Sequence, residues 1–259
     1  MVLVLSRADV EGILRMDDAI LSCEDAFRQF GEGKVQMPLR LVLRVDHPTG
    51  VITVMPAQLL ESKAVGVKLV SYFPLNRNQG LPGINAVVLF CDHDTGRVLS
   101  IMDGTHMTAV RTAAVSAVAT KYLAREDSHR VAIIGSGPQA RTHLEAMRCV
   151  RPVESAKVYS PTPAHRAQFA EMMEETIGIP VRPVESAREA IEGADIIVTV
   201  CPLCHVNLDA RQSQMGLDFQ IPVLYLTQLL AHAFGCAEKE TGLSKNFVDP
   251  APVLARTGG

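Results

Sequence analysis

Val131-Ala-Ile-Ile-Gly-Ser-Gly-Pro-Gln-Ala140 carries a short apolar strand straight into a glycine-rich turn and then into a helix. Gly135 can take the backbone angles of a tight turn, Gly137 lets the main chain approach a pyrophosphate, and Ala140 is small enough for close helix–strand packing. Ser136, Pro138 and Gln139 complete the turn, and a helix expected over residues 139–150 points its positive end at the phosphates. A lone G-x-G-x-x-A is common, so its neighbours decide. Here a strand precedes it, a helix follows, and a second strand candidate at residues 156–160 arrives at the expected distance. The stretch reads as a dinucleotide-binding turn in an α/β unit.

The composition fits a chain that handles small molecules. Its 259 residues suffice for one large domain or two ordinary ones. A net charge of −3 without any basic run argues against nucleic acid as a partner. Met1-Val-Leu-Val-Leu5 is apolar, but no basic region precedes it and it is too short for a signal peptide or a membrane span. Six scattered cysteines suggest free thiols in a reducing cytoplasm.

On either side of residue 125 the hydrophobic pattern differs. Ser6 with Asp9 forms a capping box, and Asp17 is the expected cap of a second helix whose Ile20, Cys23, Phe27 and Phe30 recur at helical spacing until Gly31. Strands are expected over residues 39–45, 51–55, 64–72, 86–91 and 97–102, with turns at Asp46-His-Pro-Thr-Gly50 and Asp92-His-Asp-Thr-Gly96. That is an antiparallel or mixed sheet, followed by an alanine-rich helix over 105–123. Beyond Arg125 strands at 131–134, 156–160, 181–184 and 195–200 alternate with helices, the pattern of a doubly wound parallel sheet.

Three cations occupy positions that packing does not explain. Arg40 stands at a strand start, Lys68 interrupts the apolar run Val65-Gly-Val-Lys-Leu-Val70, and Arg111 lies near the start of the alanine-rich helix. Taken singly, each reads as solvent-facing; together they could bind a carboxylate, bidentately through guanidinium groups and as a point charge through the ammonium. Cofactor choice is read from the end of the second parallel strand, where NAD-selective folds place an acid. This chain has Tyr159-Ser-Pro-Thr162 with Arg166 beyond, so Ser160 and Thr162 could bond a 2′-phosphate that Arg166 neutralises. That favours NADP over NAD. Cys201-Pro-Leu-Cys204-His205 matches a haem-attachment, redox or zinc pattern, but no export signal and no dependable further ligand supports it, so no metal is expected.

Met37-Pro-Leu-Arg40, Gly50-Val-Ile-Thr-Val-Met-Pro56, Val67-Lys-Leu-Val70, Met102-Asp-Gly104, Arg111-Thr-Ala-Ala-Val-Ser-Ala117, and the glycine turn with His143 resemble the ornithine cyclodeaminase and mu-crystallin family in order and spacing. The resemblance covers about the first 200 residues. It implies a Rossmann-type parallel sheet domain over residues 126–259 beside an N-terminal α+β substrate-binding and dimerisation domain over 1–125. It also implies a homodimer, a nicotinamide cofactor, and a small amino or imino acid whose carboxylate is held by Arg40, Lys68 and Arg111. Thr112 joins the candidates on the cofactor side. Cyclodeaminases carry a glutamate where this chain has Thr53, which cannot serve as a carboxylate base. From about Cys201 the family's Ile-Asn-Ala-Val-Gly segment and its catalytic aspartate have no match. The tail is therefore expected to be a frame-shifted or rearranged reading, with residues 221–226 as a further strand, 229–234 as part of a helix, and Asp209 or Asp218 as substitute acids if the tail folds. The implied activity is hydride transfer at the α-carbon of an amino or imino acid. Cyclodeamination of ornithine and ligand binding without catalysis are the alternatives.

Overall fold

A computed structural model of the chain describes residues 1–46, 50–192, 197–199, 223–225, 243–246 and 248–254. The chain divides into two compact units, one formed by Met1–Val118 with Gly137–Val150 and the other by Ala119–Ser136 with Arg151–Gly259.

The first unit is built on a seven-stranded mixed sheet of β1 (Leu3–Leu5), β2 (Val35–Gln36), β3 (Leu41–Val45), β4 (Gly50–Leu59), β5 (Ala64–Tyr72), β6 (Ile84–Cys91) and β7 (Val98–Asp103). The order is β1-β7-β6-β5-β4-β2, with β3 also on β4. Consecutive strands pair antiparallel, whereas β1 runs parallel to β7, placing Val4 beside Ile101. Strand β4 extends past the expected stop at Met55, through Pro56 to Leu59. Between Val54 and Gln58 only β5 pairs with it, and a residue without an N–H is tolerated where one flank lacks a ladder. The turn after Asp92 forms as read, with Thr95 N–H donating to Asp92 Oδ1 at 2.8 Å and Gly96 at φ +69°.

Four helices belong to this unit: α1 (Arg7–Ile13), α2 (Met16–Gly31), α3 (Gly104–Leu123), which runs on into the second unit, and α4 (Pro138–Val150). The Ser6–Asp9 capping box is present. The cap of α2 is Arg15 rather than Asp17; Asp17 lies in the first turn, where its charge complements the helix dipole. Helices α2, α3 and α4 share one core of Met16, Ile20, Val110, Ala113, Ala114, Ala117 and Ala146. Ala113, Ala114 and Ala117 are fully buried, so the alanine-rich pattern serves close helix contact. A larger side chain there would cost about 1–3 kcal/mol by overpacking. At the start of α3, a Cβ on Gly104 would meet Ala86 Cβ at 2.9 Å, so only glycine lets the helix begin against β6.

The second unit holds a parallel sheet in the order β10-β9-β8, made of β8 (Arg130–Ile134), β9 (Ser155–Tyr159) and β10 (Val181–Pro183). Helices α5 (Pro163–Ile177) and α6 (Ala187–Ile191) accompany it, and Phe169, Val158, Met173, Val181 and Val184 are buried. Pro163 opens α5, and Gly178 ends it in the left-handed conformation. In the tail, β12 (Val223–Tyr225) pairs parallel with β11 (Ile197–Thr199), and a last turn, α7, covers Ala251–Leu254. The expected strand at 221–226 is thus present in its centre. The Cys201–His205 motif, Asp209, Asp218 and the helix expected over 229–234 lie outside the described residues.

Candidate functional site

Strand alternation decides where Lys68 points. Leu69 and Val87 are register partners and both are exposed, so they occupy one face of the sheet, while Lys68 projects from the other and is half-buried. There it meets the charges of Arg111, on the second turn of α3, and of Arg40, just before β3. Burial first, then Arg111 and Arg40, push the Lys68 ammonium down to about 8. Arg111 is still reached by solvent, yet the surrounding protein desolvates it; this lowers its pKa, as does Arg40, against an opposing effect of Cys23. Burial raises the Cys23 thiol while Arg111 lowers it, and the sulfur lies 3.9 Å from the Arg111 carbonyl. Among the described residues no carboxylate forms an ion pair with Arg40, Lys68 or Arg111. Three mutually repelling cations without an ion-paired carboxylate among the described residues can receive an anion.

The start of α3 is held by side chains. Asp103 accepts from His106 N–H at 2.9 Å, and Thr105 Oγ1 accepts from Ala86 N–H at 3.0 Å. His106 faces Glu11, with Nδ1 3.6 Å from its carboxylate. Thr112, beside Arg111, donates its hydroxyl proton to the Thr108 carbonyl at 2.6 Å and keeps its oxygen lone pairs for accepting.

The glycine turn takes the form its sequence requires. Gly135 has φ +111°, and its N–H donates to the Tyr159 carbonyl at 2.7 Å, tying the turn to the end of β9. Among the described residues no heavy atom beyond its chain neighbours and its own helix lies within 4 Å of a Cβ placed on Gly137, so they leave open space at the start of α4. Pro138 occupies the first helical position, where its missing N–H is no loss. These local features fit the pyrophosphate expected at this turn. His143, to which the sequence assigned no role, fastens this helix start. Its Nδ1 donates to the Gln139 carbonyl at 2.6 Å, and its Nε2 lies 3.1 Å from Ser116 Oγ on α3. Desolvation holds the ring below its usual pKa, which keeps it neutral and suited to accepting from the serine. Thr142 adds a bond to the Ala109 carbonyl at 3.3 Å, so α4 is pinned to the helix that carries Arg111.

At the carboxyl end of β9, Ser160 and Ser136 are hydrogen-bonded through their hydroxyls at 3.0 Å, and Thr162 is the N-cap of α5 without a side-chain capping bond. Arg166 is only 5% exposed. Its Nη1 donates to the Ser160 carbonyl at 3.1 Å and its Nη2 to the Glu185 carboxylate. A 2′-phosphate could reach this guanidinium only by displacing Glu185, a partner the sequence reading did not foresee. The only signal for it was an acid placed just after the third parallel strand.

A glycine turn at the carboxyl end of a strand in a parallel sheet places the chain in the Rossmann-type α/β class. More narrowly, the chain belongs to the ornithine cyclodeaminase/mu-crystallin family, whose family model matches residues 1–208. Delta(1)-pyrroline-2-carboxylate reductase of Bacillus cereus is 34% identical over 197 residues, 76% of this chain and 61% of that protein. The solved structure of Thermococcus litoralis Delta(1)-pyrroline-2-carboxylate reductase in complex with NADH and L-proline matches with a TM-score of 0.73 and 47% identity, covering 76% of this chain and 61% of that one. An archaeal alanine dehydrogenase dimer with bound NAD matches with a TM-score of 0.70 and 35% identity, covering 78% and 61%. The chain thus spans about 61% of the length of these relatives.

Proposed function

We propose that this chain acts as a nicotinamide-dependent oxidoreductase on a small amino or imino acid, moving a hydride between the cofactor and the α-carbon next to the carboxylate. The observation that carries this reading is the cluster of Arg40, Lys68 and Arg111, of which Lys68 and Arg111 are desolvated and none has an ion-paired carboxylate among the described residues. These residues hold the substrate carboxylate and thereby orient the neighbouring carbon, and orientation alone removes several kcal/mol of an otherwise bimolecular barrier, roughly 7–11 at best. The glycine turn and α4 hold the pyrophosphate; Thr112 stands beside Arg111 to accept a hydrogen bond from the ligands. When bound, the nicotinamide supplies the hydride chemistry. The reductase relatives, one solved with NADH and L-proline, support a cyclic imino acid as the substrate class. Thr53 supports reduction over cyclodeamination, since it offers no carboxylate near the substrate amine.

The experiment is to supply Δ1-pyrroline-2-carboxylate with NADH or NADPH and follow oxidation of the cofactor, with ornithine and an ammonia assay in parallel. Cofactor oxidation supports the reductase, ammonia from ornithine would establish a cyclodeaminase, and cofactor binding without either would establish a binding protein.

The same reading includes a homodimer formed through the sheet of an N-terminal domain at 1–125, with the cofactor domain at 126–259. Exposed Val4, Leu69, Val87 and Ile101, which the register places on one face of the sheet, support an interface, as does the dimeric alanine dehydrogenase. No helix among the described residues is long and apolar enough to cross a membrane. Free Cys23, Cys91 and Cys149 support a cytoplasmic setting.

A further inference from the structure

We propose that Glu185 is the residue that discriminates between the two nicotinamide dinucleotides, selecting the form with a free 2′-hydroxyl by keeping Arg166 engaged; this rests on the cofactor reading above. In a parallel sheet, ligands lie outside the carboxyl ends of the strands, and the adenosine ribose comes to the end of the second one. Here that end is Tyr159, followed by Ser160, Pro161 and Thr162, with no acid among them. The acid is supplied from the neighbouring strand instead. Glu185 follows β10, which pairs with β9 in register from Val181–Ala156 to Pro183–Val158. Its backbone is fixed, because its N–H donates to Glu189 Oε2 at 3.2 Å and the adjoining Ser186 caps α6 through a bond from Glu189 N–H at 3.1 Å.

The two partners of this ion pair differ in exposure. The Arg166 side chain is 6% exposed and the Glu185 side chain 85% exposed. Arg166 has one face on the Ser160 carbonyl and the other on Glu185, so the group presented to solvent is the carboxylate. The second Glu185 oxygen has no hydrogen-bond partner among the described residues and can accept from a ribose hydroxyl. A 2′-phosphate brings about two negative charges to the same place. It meets an exposed carboxylate and a guanidinium already bonded to that carboxylate and to the Ser160 carbonyl, and like charges so placed oppose binding. An ion pair with only a structural role would affect stability and leave the preference between dinucleotides untouched.

The test is a pair of titrations, NADH and NADPH separately, into the full-length protein, followed by nicotinamide fluorescence and calorimetry, for the parent, Glu185→Gln and Glu185→Gln with Arg166→Met. The parent should favour NADH. Glu185→Gln, at an exposed position, should fold and shift the NADH/NADPH affinity ratio toward NADPH by about tenfold or more, since the negative charge that opposes the 2′-phosphate is gone and the Arg166 charge is no longer neutralised. The double variant should lose that gain. A parent that prefers NADPH, or a ratio unchanged within about twofold in Glu185→Gln, overturns the role of Glu185 while leaving the cofactor site in place. Absence of binding by either dinucleotide in the parent would overturn the cofactor reading itself.

Discussion

Arg111 and Arg166 are the same residue in opposite circumstances. Arg111 is desolvated and meets Lys68 and Arg40, and among the described residues none of the three has an ion-paired carboxylate. Arg166 is more deeply buried yet fully answered, by the Ser160 carbonyl and by Glu185. A desolvated charge without a counter-ion costs stability, and a fold keeps it where a ligand supplies the missing charge. A compensated charge is part of the framework. The difference teaches that burial alone does not make an arginine available to a ligand; its charge must also be left without a partner.

The largest expected effect tests the cofactor side, where the comparison needs an intact turn. Gly137→Val fills the open space at the start of α4. NADH binding by calorimetry should weaken by roughly a hundredfold or more, with the circular dichroism spectrum unchanged. Binding as tight as the parent's would remove the turn from the site.

Next come the cations. Arg111→Met and Lys68→Met should each weaken binding of a small amino-acid carboxylate such as L-proline by about ten- to a hundredfold, the worth of a charge-assisted bond in a desolvated place. Changes within about twofold in both would break the contrast between Arg111 and Arg166.

Urea unfolding of the two arginine variants sharpens that contrast further. Arg166→Met should destabilise by about 1–3 kcal/mol, because the Ser160 carbonyl loses its donor. Arg111→Met should leave stability within roughly 1 kcal/mol of the parent or raise it, since an unpaired desolvated cation is removed. Equal losses in both would mean that Arg111 is framework as well.

The smallest effect is a pH dependence. Lys68 sits at about 8 in the folded chain against 10.5 for an ordinary lysine. Carboxylate affinity should therefore fall as pH rises through about 8, and Lys68→Arg, which stays charged, should flatten that fall. The unfolded chain holds this proton more tightly, so the group opposes folding below about 8 and its penalty is relieved between about 8 and 10.5, where its contribution to stability rises with pH. Affinity independent of pH from roughly 7 to 10 would place Lys68 outside the carboxylate site.

Much of the fold was legible because its signals are local. Turn residues at Asp92–Gly96, alternation in β5, the capping box at Ser6 and the glycine turn each depend on neighbours a few positions away. Strand β1 was not legible, since three apolar residues carry no period and their pairing with Ser100–Met102 spans nearly the whole sheet in sequence. Nor was the bond from Arg166 to Glu185, nineteen residues on, or the role of His143 between Gln139 and Ser116. A side chain's partner across a sheet or between helices is set by packing, and no spacing rule encodes it.

By itself the sequence established the α/β plan, the dinucleotide turn and the identities of the three cations, because backbone conformation and residue chemistry are properties of short stretches. Only the tertiary structure decided which side of the sheet Lys68 faces, that Arg111 and Arg40 meet it there without a counter-ion among the described residues, and that Arg166 is already paired. Alternation supplies two faces but not the phase that puts one of them inward, and whether a charge is compensated depends on groups that folding brings from distant parts of the chain.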